Sequence, residues 1–143
     1  MKKQTYTILA IAAVLATVFA SAQAQSDRLI AAKVPFNFVI KDKALPAGEY
    51  LFALAQLGGA DAVKIQSADG RITAFVPIRS ANAKASQAEP KLIFNRYGDQ
   101  YFLSQIYGLE ESATQRLAKP RAEDRLATST TERSKVSIAA QKK

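Results

Sequence analysis

The chain has 143 residues, with 20 lysines and arginines against 12 aspartates and glutamates, a formal net charge of +8. It contains no cysteine and no histidine. Their absence excludes disulfide staples, thiolate or imidazole zinc sites, and the Ser-His-Asp and Cys-His catalytic arrangements, and it removes the commonest general base of enzymes.

The N-terminus reads as a cleavable export signal over residues 1–24. Lys2 and Lys3 precede an apolar run from Ile8 to Ala20, and Ser21-Ala22-Gln23-Ala24 supplies a small-residue cleavage site after Ala24. The run is about 13 residues, short of the ~20 a spanning helix needs. An uncleaved anchor from Tyr6 to Ala22 is the alternative and requires a thin bilayer. The expected location is periplasmic or extracellular, and the remaining chain from Gln25 suits one domain with its own core.

Gln25 to Ala32 forms a short polar-to-apolar lead. In Val34-Pro35-Phe36-Asn37-Phe38-Val39-Ile40 the apolar positions alternate, which predicts a strand with Pro35 near its start or on an edge. Lys41-Asp42-Lys43 and Leu45-Pro46-Ala47-Gly48 are turn signals. A strand over Glu49 to Leu57 follows, with Tyr50, Phe52 and Leu54 on one face and Leu51, Ala53, Ala55 and Leu57 on the other.

Asp69-Gly70 predicts a hairpin with a two-residue type I′ turn. Folding about it pairs Ser67 with Ile72, Ile65 with Ala74 and Val63 with Val76. Ser80 to Pro90 reads as a small-residue polar loop. A second hairpin around Gly98-Asp99 pairs Tyr97 with Gln100, Arg96 with Tyr101, Phe94 with Leu103 and Leu92 with Gln105. Both of its faces are apolar enough to be covered.

Glu111 to Ala118 and Pro120 to Ala127 have helical composition, with Pro120 interrupting one helix or opening a second. Leu109, Ala113 and Leu117 lie four apart and could lay a thin stripe on the sheet. Thr128 to Lys143 is rich in Ser, Thr and Lys and is expected to be disordered. The organisation is therefore a signal over 1–24, a β-rich domain over 25–110, a helical segment over 111–127 and a disordered basic tail over 128–143. The expected fold class is mainly β: an antiparallel sandwich or partly open barrel of about six strands, followed by the helical segment.

Three stretches carry a likeness: Val34-Pro35-Phe36-Asn37-Phe38, Leu45-Pro46-Ala47-Gly48-Glu49-Tyr50, and Leu92 through Leu103 with its Arg-Tyr-Gly-Asp-Gln-Tyr-Phe-Leu run. Together they resemble small exported proteins abundant in acidobacteria. The resemblance spans about Val34 to Tyr107. It implies an exported compartment and a β-rich fold, and it implies no site residues.

Charge separates along the chain. Residues 25–110 carry ten basic and eight acidic side chains, whereas residues 111–143 carry eight and four. Arg116, Lys119, Arg121 and Arg125 would share a basic helical face, diluted by Glu123 and Asp124. Expected partners are anionic envelope polysaccharide or lipid head groups, or a protein; nucleic acid is not expected of an exported chain. Arg96, Tyr97, Tyr101 and Tyr107 form a second candidate group, able to bind a sugar or an extended peptide. The same residues suit cross-strand packing, with Arg96 lying over Tyr101.

Asp42, Glu49, Asp61, Asp69 and Asp99 are the acids worth weighing for glycoside hydrolysis or calcium. Most sit in turns, and no calcium-loop spacing occurs. No cofactor, metal or catalytic residue is expected. The sequence favours an exported, non-catalytic binding or structural module of the envelope, with a carboxylate-based polysaccharide hydrolase or a protein-interaction module as alternatives.

Overall fold

A computed structural model describes residues 28–82, 89–110, 113–129 and 132–143. The export signal of residues 1–24 lies outside the described residues. The strands are β1 (Leu29–Val34), β2 (Phe38–Ile40), β3 (Lys43–Leu45), β4 (Gly48–Leu57), β5 (Ala60–Ser67), β6 (Thr73–Asn82), β7 (Lys91–Tyr97), β8 (Gln100–Tyr107), β9 (Ala113–Leu117), β10 (Arg133–Ala139) and β11 (Gln141–Lys142). One helix, α1 (Arg121–Ser129), lies between β9 and β10.

The fold is mainly β, with an open path of strands in the order β10-β7-β8-β9-β6-β5-β4-β1-β11 and the β2–β3 hairpin docked beside β8. The eleven strands exceed the expected six for identifiable reasons. The expected strand over Val34 to Ile40 is two, because Phe36 and Asn37 leave the ladder. Lys41 at φ 53° tightens the connection that lets β2 pair with β3. The lead before Val34 is itself paired, with β1 lying antiparallel to β4 from Leu29↔Ala53 to Val34↔Gly48.

Two further expectations are corrected. Ala113 to Leu117, expected to be helical, is strand β9, held between β6 and β8. Its side chains explain this: Thr114, Gln115 and Leu117 are all buried, which a four-residue stripe would not achieve. Arg133 to Ala139, expected to be disordered, is strand β10, paired along its whole length with β7. Val136 and Ile138 alternate onto the core while the residues between them stay exposed. The helix is therefore followed by strands. The second helical stretch is α1, entered from Pro120, whose carbonyl accepts from the N–H groups of Glu123 (3.0 Å) and Asp124 (3.2 Å).

Strand β6 belongs to two sets of strands. Thr73–Pro77 pair with β5, and from Ile78 onward the strand pairs with β9. The core lies between these sets. Phe38 joins them through edge-on contacts to Tyr50 of β4 (5.2 Å) and Phe94 of β7 (5.5 Å), geometry that aromatic quadrupoles favour. Ile30, Phe52, Val63, Ile65, Leu92, Leu103 and Ile106 fill the remainder, all buried.

The resemblance motifs act as scaffold. Asn37 Oδ1 accepts from the Ala47 N–H (3.0 Å), and the Tyr50 hydroxyl donates to the Pro46 carbonyl (2.7 Å), so the Leu-Pro-Ala-Gly turn is tied to the chain before and after it.

Candidate functional site

The β7–β8 ladder explains where the sequence candidates fall. Tyr97↔Gln100, Arg96↔Tyr101 and Phe94↔Leu103 pair as expected. Between Ile93 and Phe94 a bulge shifts the register, so Leu92 faces Ile106 instead of Gln105. Side chains alternate across the sheet, so the four-residue group is split. Arg96 and Tyr101 point to the core side, at its rim. Tyr97 and Tyr107 point to the outer side.

Arg96 lies over the Tyr101 ring at 5.5 Å and donates from Nε to the Gly98 carbonyl at 2.7 Å. Tyr101 in turn stacks on Phe36 at 3.8 Å, and Phe36 meets Phe94 edge-on at 5.1 Å. This column runs from surface to core and accounts for both residues by packing. An open cavity of about 360 Å³ beside it is lined by Arg96, Gly98, Glu132, Arg133 and Ser134.

Tyr97 is buried beneath α1. Glu123, the one buried residue of that helix, accepts from Asn95 Nδ2 (2.7 Å) and from the Tyr97 hydroxyl (3.2 Å). Burial, and next the Glu123 charge, push the Tyr97 pKa up. The helix is thus held over the Asn95–Tyr97 end of β7 by a polar anchor, since its apolar residues are few. Nothing in the sequence separates Glu123 from Asp124. The available signal was indirect: a helix without an apolar stripe must be held by something polar.

The basic group is also rearranged. Arg121 and Arg125 are exposed on α1 and Lys119 is exposed just before it, but Arg116 sits on β9. There it directly faces Arg79 of β6, a residue that sequence reasoning passed over. On its other side Arg116 faces Gln105 of β8, which faces Ile93 of β7, which faces Ser137 of β10. The neighbouring outward row holds Lys91 and Tyr107, and the rows beyond Ile93 bring Lys135 and Arg133 to the same side.

This outer face is rich in donors. Lys91 Nζ lies over the Tyr107 ring at 5.1 Å, and the Tyr107 hydroxyl donates to Gln105 Oε1 at 3.0 Å. With its carbonyl occupied, Gln105 presents its amide N–H groups beside Arg116. Among the described residues the single ion pair is Arg71–Asp69, far along the other hairpin, so no described carboxylate lies within ion-pair distance of Arg79, Arg116, Lys135 or Arg133. The sheet thus gathers cations that are scattered in sequence onto one surface.

The acids divide among sites. Asp61 and Glu110 both line a cavity of about 290 Å³ with Gln56, Ile78 and Ser80, and Glu110 Oε2 accepts from Gln115 Nε2 at 2.9 Å. Glu49 and Asp69 line another, of about 260 Å³. Asp69 accepts from the Ser67 hydroxyl (2.5 Å) and the Arg71 N–H (3.0 Å), and these bonds hold its pKa below the usual carboxylate range. It is therefore an ionised turn residue, unsuited to serve as a general acid. Among the described residues, no helix is long and apolar enough to cross a membrane.

The chain matches no protein-family model, no curated protein and no solved structure.

Proposed function

We propose that the protein is an exported, non-catalytic binding module of the cell envelope, of the small acidobacterial type its motifs resemble, and that its outer cationic face associates with anionic envelope material. The observation that supports this reading is the assembly of Arg79, Arg116, Lys91, Lys135 and Arg133 on one side of the sheet, with α1 adding Arg121 and Arg125. Among the described residues these cations have no ion-pair partner, and a cationic surface raises the local concentration of polyanions and steers their approach. The expected location follows from the basic, apolar and small-residue order of residues 1–24.

The test is retention of the chain from Gln25 on isolated envelope fractions, measured against ionic strength. Retention that falls steeply between low and physiological salt is expected, because exposed charges are screened over about 10 Å at 0.1 M. Salt-independent retention, or none, overturns the reading. A hydrolase is the second reading, favoured by Asp61 and Glu110 sharing a cavity. It predicts release of reducing sugar from envelope polysaccharide, lost in Glu110→Gln.

A further inference from the structure

We infer that Arg79, Arg116 and Gln105 form a discrete oxyanion clamp whose ligand is a carboxylate carried by an acidic, uronate-type polysaccharide. This rests on the cationic-face reading and specifies its site and ligand.

Arg79 and Arg116 are direct cross-strand partners. Side chains so placed start about 4.5–5.5 Å apart at Cβ, and like charges in that position repel. Both are exposed, and among the described residues neither has a carboxylate within ion-pair distance. A sheet that opposes two arginines leaves a gap that one anion fills, because each guanidinium presents a planar fork matched to a carboxylate. Gln105, the next residue in the row, contributes N–H donors: its Oε1 accepts from the Tyr107 hydroxyl, and its Nε2 has no hydrogen-bond partner among the described residues. The three residues thus supply two guanidinium forks and one amide NH2 as donors.

Two observations favour a soluble polymer over a bilayer. The row Ser137–Ile93–Gln105–Arg116–Arg79 presents no exposed large apolar side chain for insertion; of the exposed ones among the described residues, Leu57 lies on β4, and Phe75 lies on β6 four residues before Arg79, in the stretch paired with β5. Lys91 lies two strands across and one row along, roughly 12 Å from Arg116 at the usual strand spacings. It offers a second cation for another charge on the same chain.

The test is titration of the chain from Gln25 with tetragalacturonate, with its methyl-esterified form, and with phosphatidylglycerol vesicles. Saturable binding to tetragalacturonate and none to the neutral ester is expected. Arg79→Gln and Arg116→Gln should each weaken it roughly tenfold or more, as charge-assisted hydrogen bonds are lost. Arg121→Gln/Arg125→Gln, which removes more charge from the adjacent helix, should weaken it less than threefold. Without ligand, Arg79→Gln should unfold at a slightly higher temperature than the parent, which also shows that weakened binding is not misfolding. Equal losses from the helix and sheet variants overturn the clamp in favour of diffuse charge. Binding to vesicles but not to tetragalacturonate overturns it while leaving the envelope reading standing; salt-independent envelope retention removes that reading itself.

Discussion

The two long hairpins, β5–β6 and β7–β8, have similar length and a glycine in each turn, yet they are stabilised in different ways. In β5–β6 the turn is held locally. Gly70 at φ 73° donates to the Ser67 carbonyl, Ile72 donates to the Ser67 hydroxyl, and Asp69 collects that hydroxyl and the Arg71 N–H. Its outward face carries Lys64, Gln66, Thr73 and the exposed Phe75, with no element above it among the described residues. In β7–β8 one face lies on the core, and α1 caps the Asn95–Tyr97 end of the other through Glu123. The first hairpin leans on the strand just before it, β4, where the Glu49 carbonyl also accepts from the Ala68 N–H, whereas the second depends on residues some thirty positions later. Alternation describes a strand with one wet face; a strand covered twice needs its cover to be known.

Core truncation separates the hairpins most. Phe94→Ala should cost about 3–5 kcal/mol, since the ring is fully buried against Phe36 and Phe38. Phe75→Ala should stay within about 0.5 kcal/mol, as expected of an exposed position. Chemical denaturation of both variants measures the contrast, and comparable losses would break it.

Glu123→Ala should cost about 2–4 kcal/mol by stranding two buried donors, on Asn95 and Tyr97. Glu123→Gln should be nearly neutral, because its amide can donate to Asn95 Oδ1, which has no hydrogen-bond partner among the described residues. Equal losses in the two variants would show that the anchor acts through charge and not through hydrogen bonding.

Ser67→Ala should cost only about 1 kcal/mol, because it removes the partly buried acceptor of the Ile72 N–H and leaves the Ser67 N–H to Ile72 carbonyl bond in place. Amide exchange should quicken in the β5–β6 turn and stay unchanged in β7–β8.

Acid and base probe the hairpins separately. Asp69 has a folded pKa below its ordinary value near 3.8, so its contribution is present above that value and is lost as pH falls through the lower folded one. Asp69→Asn should flatten this acid limb. Tyr97 has a folded pKa above its ordinary value near 10, so its contribution is present below 10 and is lost as pH rises through the folded one. Tyr97→Phe should flatten part of the alkaline limb, leaving the share of Tyr50, whose pKa burial also raises.

These differences explain which elements were legible. Val63↔Val76 and Ile65↔Ala74 followed from alternation about Asp69-Gly70. The turn itself differs from a two-residue type I′ turn: Asp69 has no positive φ, and the side chains of Ser67 and Asp69 take over part of the ladder. Strand β9 was hidden because Ala, Gln, Arg and Leu favour helices and a short strand offers few positions to outvote propensity. Strand β10 did carry a signal, the spacing of Val136 and Ile138, but its Ser and Lys neighbours resemble those of a solvated tail. The cationic face was illegible in principle, since Arg79 and Arg116 meet only through a ladder that depends on β9 being a strand.

The final described stretch does two jobs at once. Strand β10 seals the outer edge of β7, Ala140 donates to the Pro90 carbonyl, and β11 with Lys143 pairs with Leu29 to Ala31 of the first strand. A chain delivered N-terminus first therefore exposes the edges of β7 and β1 until residues 133–143 arrive. Such edges invite pairing with other chains. Because these closing contacts are the most distant in sequence, their formation is expected to be slow. In the interval between delivery and closure, pairing with other chains competes with closure for the same two edges.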